Sequence, residues 1–364
     1  MNPTLSIKHY GQQIWLDNLS RTHLREGLLA RLVEEDGLAG VTSNPSIFFK
    51  AVSESPYYRD EVNNLYNSML PAEARYEALV IADIRQACDL LICTYKESGG
   101  GAGYVSLEVS PHLAYDEEQT VAEARRLRDT VERENLLIKV PATPAGIRAF
   151  ERLIAEGINI NVTLMFSLRH VEAVAKAYIH GAKRWVDSGG DPHHLKSVAS
   201  IFLSRVDTLV DKRLTAIGST EALARRGKAA VALGKLAYQR YLGRFHGESF
   251  STLANLGIRP QQLLWASTST KNPDYNDLLY VEPLIGPETV NTLPDATLAA
   301  LRDHGEVAAT LKEGVEEAQR QVTALAALGI ELDEVGEVLQ VEGINSFSEA
   351  YDKLINFMKG EPPH

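Results

Sequence analysis

The residue most out of keeping with its neighbours is Lys139, which lies inside the apolar run 136–140. Strands covered on both faces of a parallel sheet are almost wholly apolar, and a lysine is rarely fully buried without a partner. One interpretation is a lysine whose aliphatic stem is buried at a strand end and whose amine pairs with a carboxylate. The other is chemical, because burial favours the neutral amine, which can attack a carbonyl carbon and form a Schiff base.

Polar residues stand near the ends of other β-rich runs. Asp17, Asn44 and Glu108 each follow a short, mostly apolar stretch. Asn161 and Thr163 are two residues apart, so the period of a strand places both on one face, which we expect to point inward. Each of these residues alone could be a helix cap or a turn residue. Together they predict carboxylates, amides and hydroxyls gathered around one amine.

A second group of residues is suited to binding an anion. Ser200 and Phe202 share a face of the sixth run, Arg205 follows that run, and Lys271 follows the seventh. A solvated surface charge is the ordinary interpretation of each cation alone. Loops after the late strands of barrels often bind phosphate, so we predict a phosphate contact, more strongly for Arg205 than for Lys271.

Eight β-rich runs, each followed by a stretch of helical period, must position these side chains. This alternation predicts βαβ units and a parallel sheet, and eight units close into a (β/α)8 TIM barrel with its active site at the carboxyl ends of the strands. A doubly wound open sheet is the alternative. The runs are 13–18, 39–44, 103–109, 136–142, 158–164, 197–203, 263–268 and 279–285.

Local signals mark the ends of several helices. Thr143 can cap a helix that has Pro144 at its first position and ends at Gly157. Asp116 and Gln119 have the spacing of a capping box.

The sequence pattern predicts that the C-terminal region is helical. From Pro287 onward we predict no further strand, and closing helices over about 306–360 pack on the outside of the barrel. No linker rich in Pro, Gly or Ser separates them, so we predict a single domain, 1–364. The predicted helices are 315–328, 331–339 and 346–358.

Composition excludes several classes of protein. The 364 residues include 37 Lys and Arg against 48 Asp and Glu, a net charge of −11, with no basic tract. Nucleic acid and anionic membranes are therefore unexpected partners. Cys88 and Cys93 make no disulfide framework, and neither a signal peptide nor a long apolar run is present. These features predict a cytoplasmic protein.

Metal and nucleotide motifs are also missing from the sequence. The adjacent pair His193 and His194 is not spaced for one helix face, so we expect no metal. The glycines at 99–101 lead into a strand instead of following one, which predicts a turn at the non-catalytic end and not a phosphate loop.

Six segments, taken in order, resemble the transaldolase family, and most closely its longer bacterial branch. The resemblance extends from about residue 10 to the C-terminal helices. It implies a (β/α)8 barrel whose Schiff-base lysine lies on the fourth strand, where Lys139 stands, and it implies no cofactor or metal. The segments are WLDN at 15–18, TSNPS at 42–46, SLEVS at 106–110, IKVPAT at 138–143, NVTLMFS at 161–167 and SIF at 200–202.

The resemblance also implies roles for the residues that match. Lys139 would attack the ketone of fructose 6-phosphate or sedoheptulose 7-phosphate, and dihydroxyacetone would stay bound to it until glyceraldehyde 3-phosphate or erythrose 4-phosphate accepts it. Asp17 would take the proton from the hydroxyl next to the cleaved bond. Glu108, with a water oriented by Thr163, would shuttle protons during imine formation and hydrolysis. Such a reaction belongs to the pentose phosphate pathway.

Binding roles follow in the same way. Asn44 and Asn161 would hold the dihydroxyacetone moiety, while Ser200 and Arg205 would bind the phosphate. Lys271 stands where shorter transaldolases have an arginine, and a lysine offers a point charge in place of a planar fork.

Two alternatives stay open. The related fructose-6-phosphate aldolases, which release free dihydroxyacetone, carry a tyrosine at the position of Phe202 and lack the acid at Glu108, so this chain resembles the transferases. A lyase of that kind is one alternative. A non-catalytic sugar-phosphate-binding barrel is the other, although it would not need Lys139. We expect sugar phosphates as the partners of a monomer or homodimer.

Overall fold

The computed structural model describes residues 2–360 and contains a closed barrel of eight parallel strands, in which β1 pairs with β8. Closure confirms the (β/α)8 barrel and excludes the doubly wound alternative. The first seven predicted runs coincide with strands to within a few residues. The strands are β1 (Gln12–Leu16), β2 (Gly40–Val41), β3 (Tyr104–Glu108), β4 (Leu136–Pro141), β5 (Ile160–Met165), β6 (Ser197–Phe202), β7 (Gln262–Ala266) and β8 (Thr289–Leu293).

The eighth strand was predicted in the wrong place. The apolar run 279–285 forms turns and a 3₁₀ helix, Glu282–Leu284, where Pro283 has no N–H to donate to a ladder. The strand is β8, which the polar sequence Thr-Val-Asn-Thr-Leu concealed. All five of its residues are buried, and its polar side chains donate to backbone carbonyls: Thr289 Oγ1 to Gly286, Asn291 Nδ2 to Tyr280 and Thr292 Oγ1 to Trp265.

Helices surround the barrel and fill the two long crossovers after β2 and β6. They are α1 (Pro3–Ile7), α2 (Arg21–Arg25), α3 (Leu28–Glu35), α4 (Pro45–Glu54), α5 (Arg59–Tyr66), α6 (Ala72–Glu97), α7 (Glu117–Val131), α8 (Pro144–Ile154), α9 (Leu168–Asp187), α10 (Ser204–Ile217), α11 (Thr220–Leu223), α12 (Ala229–Phe245), α13 (Glu248–Asn255), α14 (Asp295–His304), α15 (Val315–Ala327) and α16 (Leu332–Lys359). Within residues 2–360, none of them is both long and apolar enough to cross a membrane.

The predicted helix signals are confirmed. The Asp116 side chain accepts from the N–H of Gln119 at the start of α7, and Thr143 Oγ1 accepts from Gly146 N, 2.9 Å away, at the start of α8. Gly157 follows α8 at φ +75°. The glycine turn at 99–101 lies at the amino end of the barrel, where the Gln13 side chain donates to the carbonyl of Gly101. It is a turn, as predicted.

The C-terminal helices differ from the prediction in two respects. The segments 331–339 and 346–358 belong to one helix of 28 residues, α16, because the intervening sequence contains no stronger breaker than Gly343. This helix also does more than pack on the outside. It contacts β5, and the amide of Gln340 donates to the carbonyls of Ala142, directly after β4, and Leu164, near the end of β5.

Candidate active site

Strand register places three of the predicted residues side by side. Glu108 on β3 is in register with Lys139 on β4, and Lys139 is in register with Asn161 on β5. The parallel sheet thus aligns a carboxylate, an amine and an amide across three neighbouring strands. Thr163 lies two residues after Asn161 on β5, so both side chains point to the same face of the strand.

Lys139 makes two polar contacts. Its Nζ lies 3.2 Å from Glu108 Oε2 and donates to the carbonyl of Ser43, also at 3.2 Å. The side chains of Lys139 and Glu108 are each 6% exposed. The lysine therefore has the carboxylate partner that its burial requires. Burial raises the pKa of Glu108, with the Lys139 charge and hydrogen bond opposing the rise, so the carboxyl is suited to accepting and returning a proton.

Asp17, directly after β1, is the second carboxylate of the site. It is half-buried, and its Oδ1 accepts from Thr42 Oγ1 at 2.9 Å. Burial raises the pKa of Asp17, while the Lys139 charge and the Thr42 hydrogen bond act against that rise. The raised pKa makes this carboxylate a stronger base than an exposed aspartate.

A cavity of about 390 Å³ opens at the carboxyl ends of the strands. Strands and loops from all around the barrel contribute to its wall, as expected for an active site of this fold. Eight predicted site residues line it: Asp17, Asn44, Lys139, Thr163, Ser200, Phe202, Arg205 and Lys271.

Two predicted residues lie behind the cavity wall. Asn161 is fully buried, its Nδ2 donates to Ser106 Oγ at 3.1 Å, and its Oδ1 accepts from Ser200 Oγ at 2.7 Å. Glu108 borders two separate cavities of about 10 and 20 Å³, each near the size of one water. Asn161 therefore orients Ser200, and Glu108 reaches the cavity through Lys139.

Thr163 and Asn44 occupy the wall in different ways. Within residues 2–360, Thr163 Oγ1 has no hydrogen-bond partner although it is buried, which leaves it available to a water or a substrate hydroxyl. Asn44 caps α4, because its Oδ1 accepts from Ile47 N at 3.0 Å. The interpretation of Asn44 as a helix cap is thus correct, and the same residue also faces the cavity.

The two cations predicted to bind phosphate, Arg205 and Lys271, differ in how deeply they are buried. Arg205 is partly buried beside Phe202, with its guanidinium carbon 5.8 Å from the ring centroid, and burial lowers its pKa. Among the described residues 2–360, no hydrogen bond or ion pair engages the guanidinium of Arg205. Lys271 is exposed and donates to Ser269 Oγ at 2.7 Å. Of the two, Arg205 is the better-prepared anion contact.

The comparisons with known proteins cover nearly the whole chain. Residues 14–358 match the profile of the family described as transaldolase/fructose-6-phosphate aldolase. This chain belongs to that family. It is 56% identical over 355 residues to a transaldolase of Thiobacillus denitrificans, covering 98% of this chain and 99% of the relative.

Other relatives agree with that finding. A protein named transaldolase 2 from Nostoc is 44% identical over 372 residues, covering 99% of this chain and 98% of its own. A transaldolase of Neisseria gonorrhoeae is 46% identical over 349 residues, covering 96% and 97% of the two chains. The predicted family is confirmed, and the chain is an enzyme of the transferase class, which removes the non-catalytic barrel from consideration.

The transaldolase-family site contains residues that sequence reasoning missed. Thr42 binds Asp17, the Ser43 carbonyl binds Lys139, and Lys50 is a third cation at the cavity. Lys50 follows Ser46 by four residues on α4, so helical spacing from the TSNPS segment was a signal for it. Phe347 on α16 also lines the cavity, and nothing in the sequence connected it with the strands.

Metal ligands are the remaining question about this family site. Over residues 2–360, no group of three or more His, Cys, Asp or Glu side chains is arranged to hold a metal ion. Whether the reaction needs a metal stays a prediction, which the experiment below includes.

Proposed function

We propose that the enzyme transfers a dihydroxyacetone unit between sugar phosphates through a Schiff base on Lys139. One observation carries this proposal: a buried lysine amine faces a cavity and has a buried carboxylate, Glu108, 3.2 Å away. Transfer of the ammonium proton to Glu108 leaves two neutral groups, which burial favours over two charges. The neutral amine can then attack a ketone.

Glu108 handles one proton twice during imine formation: it accepts the proton from the Lys139 ammonium and later returns it. The amine of Lys139 adds to the ketone carbon of fructose 6-phosphate or sedoheptulose 7-phosphate, and a proton passes from the nitrogen to the new alkoxide oxygen, which gives a carbinolamine. Glu108 returns a proton to the departing hydroxyl, which leaves as water, and the iminium forms. The free hydroxyl of Thr163 would orient the water that enters and leaves, because its Oγ1 has no partner among residues 2–360.

Carbon–carbon cleavage follows on the iminium. Asp17 removes the proton from the hydroxyl next to the bond, the aldose phosphate departs, and the electron pair of the broken bond passes to the iminium and gives an enamine. An acceptor aldehyde, glyceraldehyde 3-phosphate or erythrose 4-phosphate, then reverses these steps. Asn44 would hold the dihydroxyacetone part. Arg205, Ser200 and Lys271 would bind the phosphate of donor and acceptor.

Phe202 and Glu108 favour transfer over simple aldol cleavage. The lyase relatives differ from the transferases at these two positions, and this chain has the transferase residue at both. The role of the enzyme in the pentose phosphate pathway is part of the same proposal.

Borohydride trapping tests the proposal directly. The enzyme is incubated with fructose 6-phosphate, reduced with borohydride and digested, and the masses of the peptides are measured by mass spectrometry. We expect one reduced three-carbon unit on the peptide that contains Lys139. A label on another lysine, or none at all, contradicts the proposal. A chelator should leave activity unchanged, whereas loss of activity restored by a divalent ion would indicate a metal-dependent aldolase instead.

A further inference from the structure

One face of α16 lies against the carboxyl end of the barrel. Residues 336, 340, 343 and 347 are spaced by four, three and four, so they form a single stripe along the helix. Gln340, within this stripe, donates to the carbonyl of Ala142 at 2.9 Å and to that of Leu164 at 3.0 Å. The helix is therefore tied to the ends of β4 and β5, the strands that carry Lys139 and Thr163.

Two glycines of the stripe allow this close approach. A Cβ added at Gly336 would lie 2.7 Å from the Cβ of Ser167, and one added at Gly343 would lie 2.9 Å from Cδ2 of Leu164. Larger residues at either position would move the helix outward. The fourth member of the stripe, Phe347, is thereby set at a fixed height above the strand ends.

Phe347 covers the reactive amine. Its side chain is 3% exposed, it lines the cavity, and its ring centroid is 5.6 Å from Lys139 Nζ. Phe202 forms another aromatic part of the same wall, backed by Phe166 at a ring-centroid distance of 5.3 Å. Lys139 thus faces an apolar ring from a helix outside the barrel, in a cavity that also exposes the polar side chains of Asp17 and Ser200.

We propose that Phe347 excludes water from the three-carbon unit on Lys139 and so determines whether that unit is transferred or hydrolysed. This inference rests on the proposed function. In hydrolysis the enamine carbon gains a proton, the oxygen of water bonds to the iminium carbon, the carbon–nitrogen bond breaks, and the amine keeps the proton from water. Free dihydroxyacetone and the free lysine result. In transfer, an aldehyde carbon bonds to the enamine carbon before water can act.

The experiment compares two rates in the same enzyme preparation. Free dihydroxyacetone is measured with fructose 6-phosphate alone, while the glyceraldehyde 3-phosphate formed is removed enzymatically so that it cannot act as acceptor. Transfer is measured as sedoheptulose 7-phosphate formed after addition of erythrose 4-phosphate. We expect the ratio of release to transfer to rise by ~10-fold or more in Phe347→Ala, and by less in Phe347→Leu, which keeps part of the apolar cover.

Phe357→Ala is the matched control. Phe357 lies on the same helix, ten residues further on, and packs against Tyr66 at a ring-centroid distance of 6.3 Å, away from the cavity. Its loss removes the same ring from α16 and should leave the ratio at the parental value. Because unfolded enzyme contributes to neither rate, the ratio reports on folded sites even if a variant is unstable.

The outcomes are distinguishable from those of the proposed function. A parent enzyme that shows no adduct on Lys139 and no transfer contradicts the proposed function itself. A parent that transfers, with ratios in both Phe347 variants equal to that of Phe357→Ala, overturns the water-excluding role and leaves the proposed function standing.

Discussion

The barrel buries two lysines, one near each end, and they differ in what surrounds the amine. Lys139 faces the cavity at the carboxyl end with Glu108 beside it. Lys196 lies just before β6 and is 2% exposed. Its Nζ donates to the Gly101 carbonyl at 2.9 Å and to the Gln262 side chain, and burial lowers its pKa to about 7, helped by the Arg259 charge.

The comparison separates burial from reactivity. A pKa of about 7 means that Lys196 is neutral in much of the protein near neutral pH, which by itself would make it a nucleophile. However, its partners are a carbonyl and an amide, which cannot take up and return a proton. Lys139 combines burial with a carboxylate partner and a place in the wall of the cavity. We infer that access and a proton shuttle, more than a neutral amine, define the Schiff-base residue.

Exchanging each lysine for methionine gives the largest expected contrast. Lys139→Met should lower kcat by at least ~10⁴-fold, since no other group can form the covalent adduct. Lys196→Met should keep turnover per folded molecule near that of the parent. Steady-state kinetics with fructose 6-phosphate and erythrose 4-phosphate, scaled to folded protein, measures both. Substantial residual transfer in Lys139→Met would mean that the comparison assigns the wrong lysine.

Asp17→Ala should stop the reaction after the imine has formed. In the proposed mechanism Asp17 takes the proton that triggers cleavage, so the variant should still capture the ketose, and borohydride should trap an intact six-carbon adduct on Lys139 in place of a three-carbon one. Rapid-quench mass analysis distinguishes the two. A three-carbon adduct formed at the parental rate would show that Asp17 is not the cleavage base.

Glu108→Ala should slow the appearance of any adduct. Without this carboxyl, dehydration of the carbinolamine loses its proton shuttle, so adduct formation should fall by ~10²–10⁴-fold. The same variant makes Lys139 resemble Lys196, a buried amine without a carboxylate. The rate of adduct formation is read by quenching with borohydride at successive times, and an unchanged rate would refute the shuttle.

Arg205→Ala should weaken phosphorylated donors selectively. A charge-assisted contact to phosphate contributes about 1.5–3 kcal/mol, so kcat/KM for fructose 6-phosphate should fall by roughly 10- to 100-fold. Fructose without phosphate should be used about as well as by the parent. Lys271→Ala should show the same preference more weakly, because Lys271 is exposed and already donates to Ser269. Equal losses with both sugars in both variants would place the phosphate elsewhere.

Sequence reasoning succeeded where one residue conflicted with its own surroundings. A lysine in an apolar strand, and carboxylates and amides at strand ends, are local anomalies, and once eight strands are expected their positions around one end of the barrel follow. It failed for β8, whose Thr and Asn side chains donate hydrogen bonds to carbonyls of neighbouring segments. Burial of polar residues through such contacts depends on tertiary structure, which no local pattern shows.

The parts of the site that come from distant segments were also beyond prediction. Phe347 reaches Lys139 only because α16 continues through Gly343 and crosses the strand ends. Asn161 has the expected inward direction, yet Ser106 and Ser200 occupy its amide, so its distance from the cavity could not be read from strand period. Direction follows from local periodicity, whereas contact depends on packing.

The smallest expected effect concerns Lys196 and appears in stability instead of turnover. In the folded protein its pKa is lowered to about 7, against 10.5 for an ordinary lysine. Between these values the unfolded chain holds the proton and the folded protein does not, so the stability of the parent rises with pH across that interval because of this group. Below a pH of about 7 the lysine is charged in both the folded and the unfolded protein, and burial of the charged amine then lowers the stability by its full amount.

Lys196→Met removes this dependence. The free energy of unfolding of the parent, minus that of the variant, should therefore increase from pH 7 to pH 9.5, by at most about 1.4 kcal/mol per pH unit. Urea unfolding at both pH values measures the difference, and exposed Lys353→Met serves as the control whose difference should stay constant. A flat difference for Lys196→Met would mean that the amine stays charged between Gly101, Gln262 and the Tyr104 ring. The contrast between the two buried lysines would then rest on the carboxylate partner and on access to the cavity, and not on a neutral Lys196.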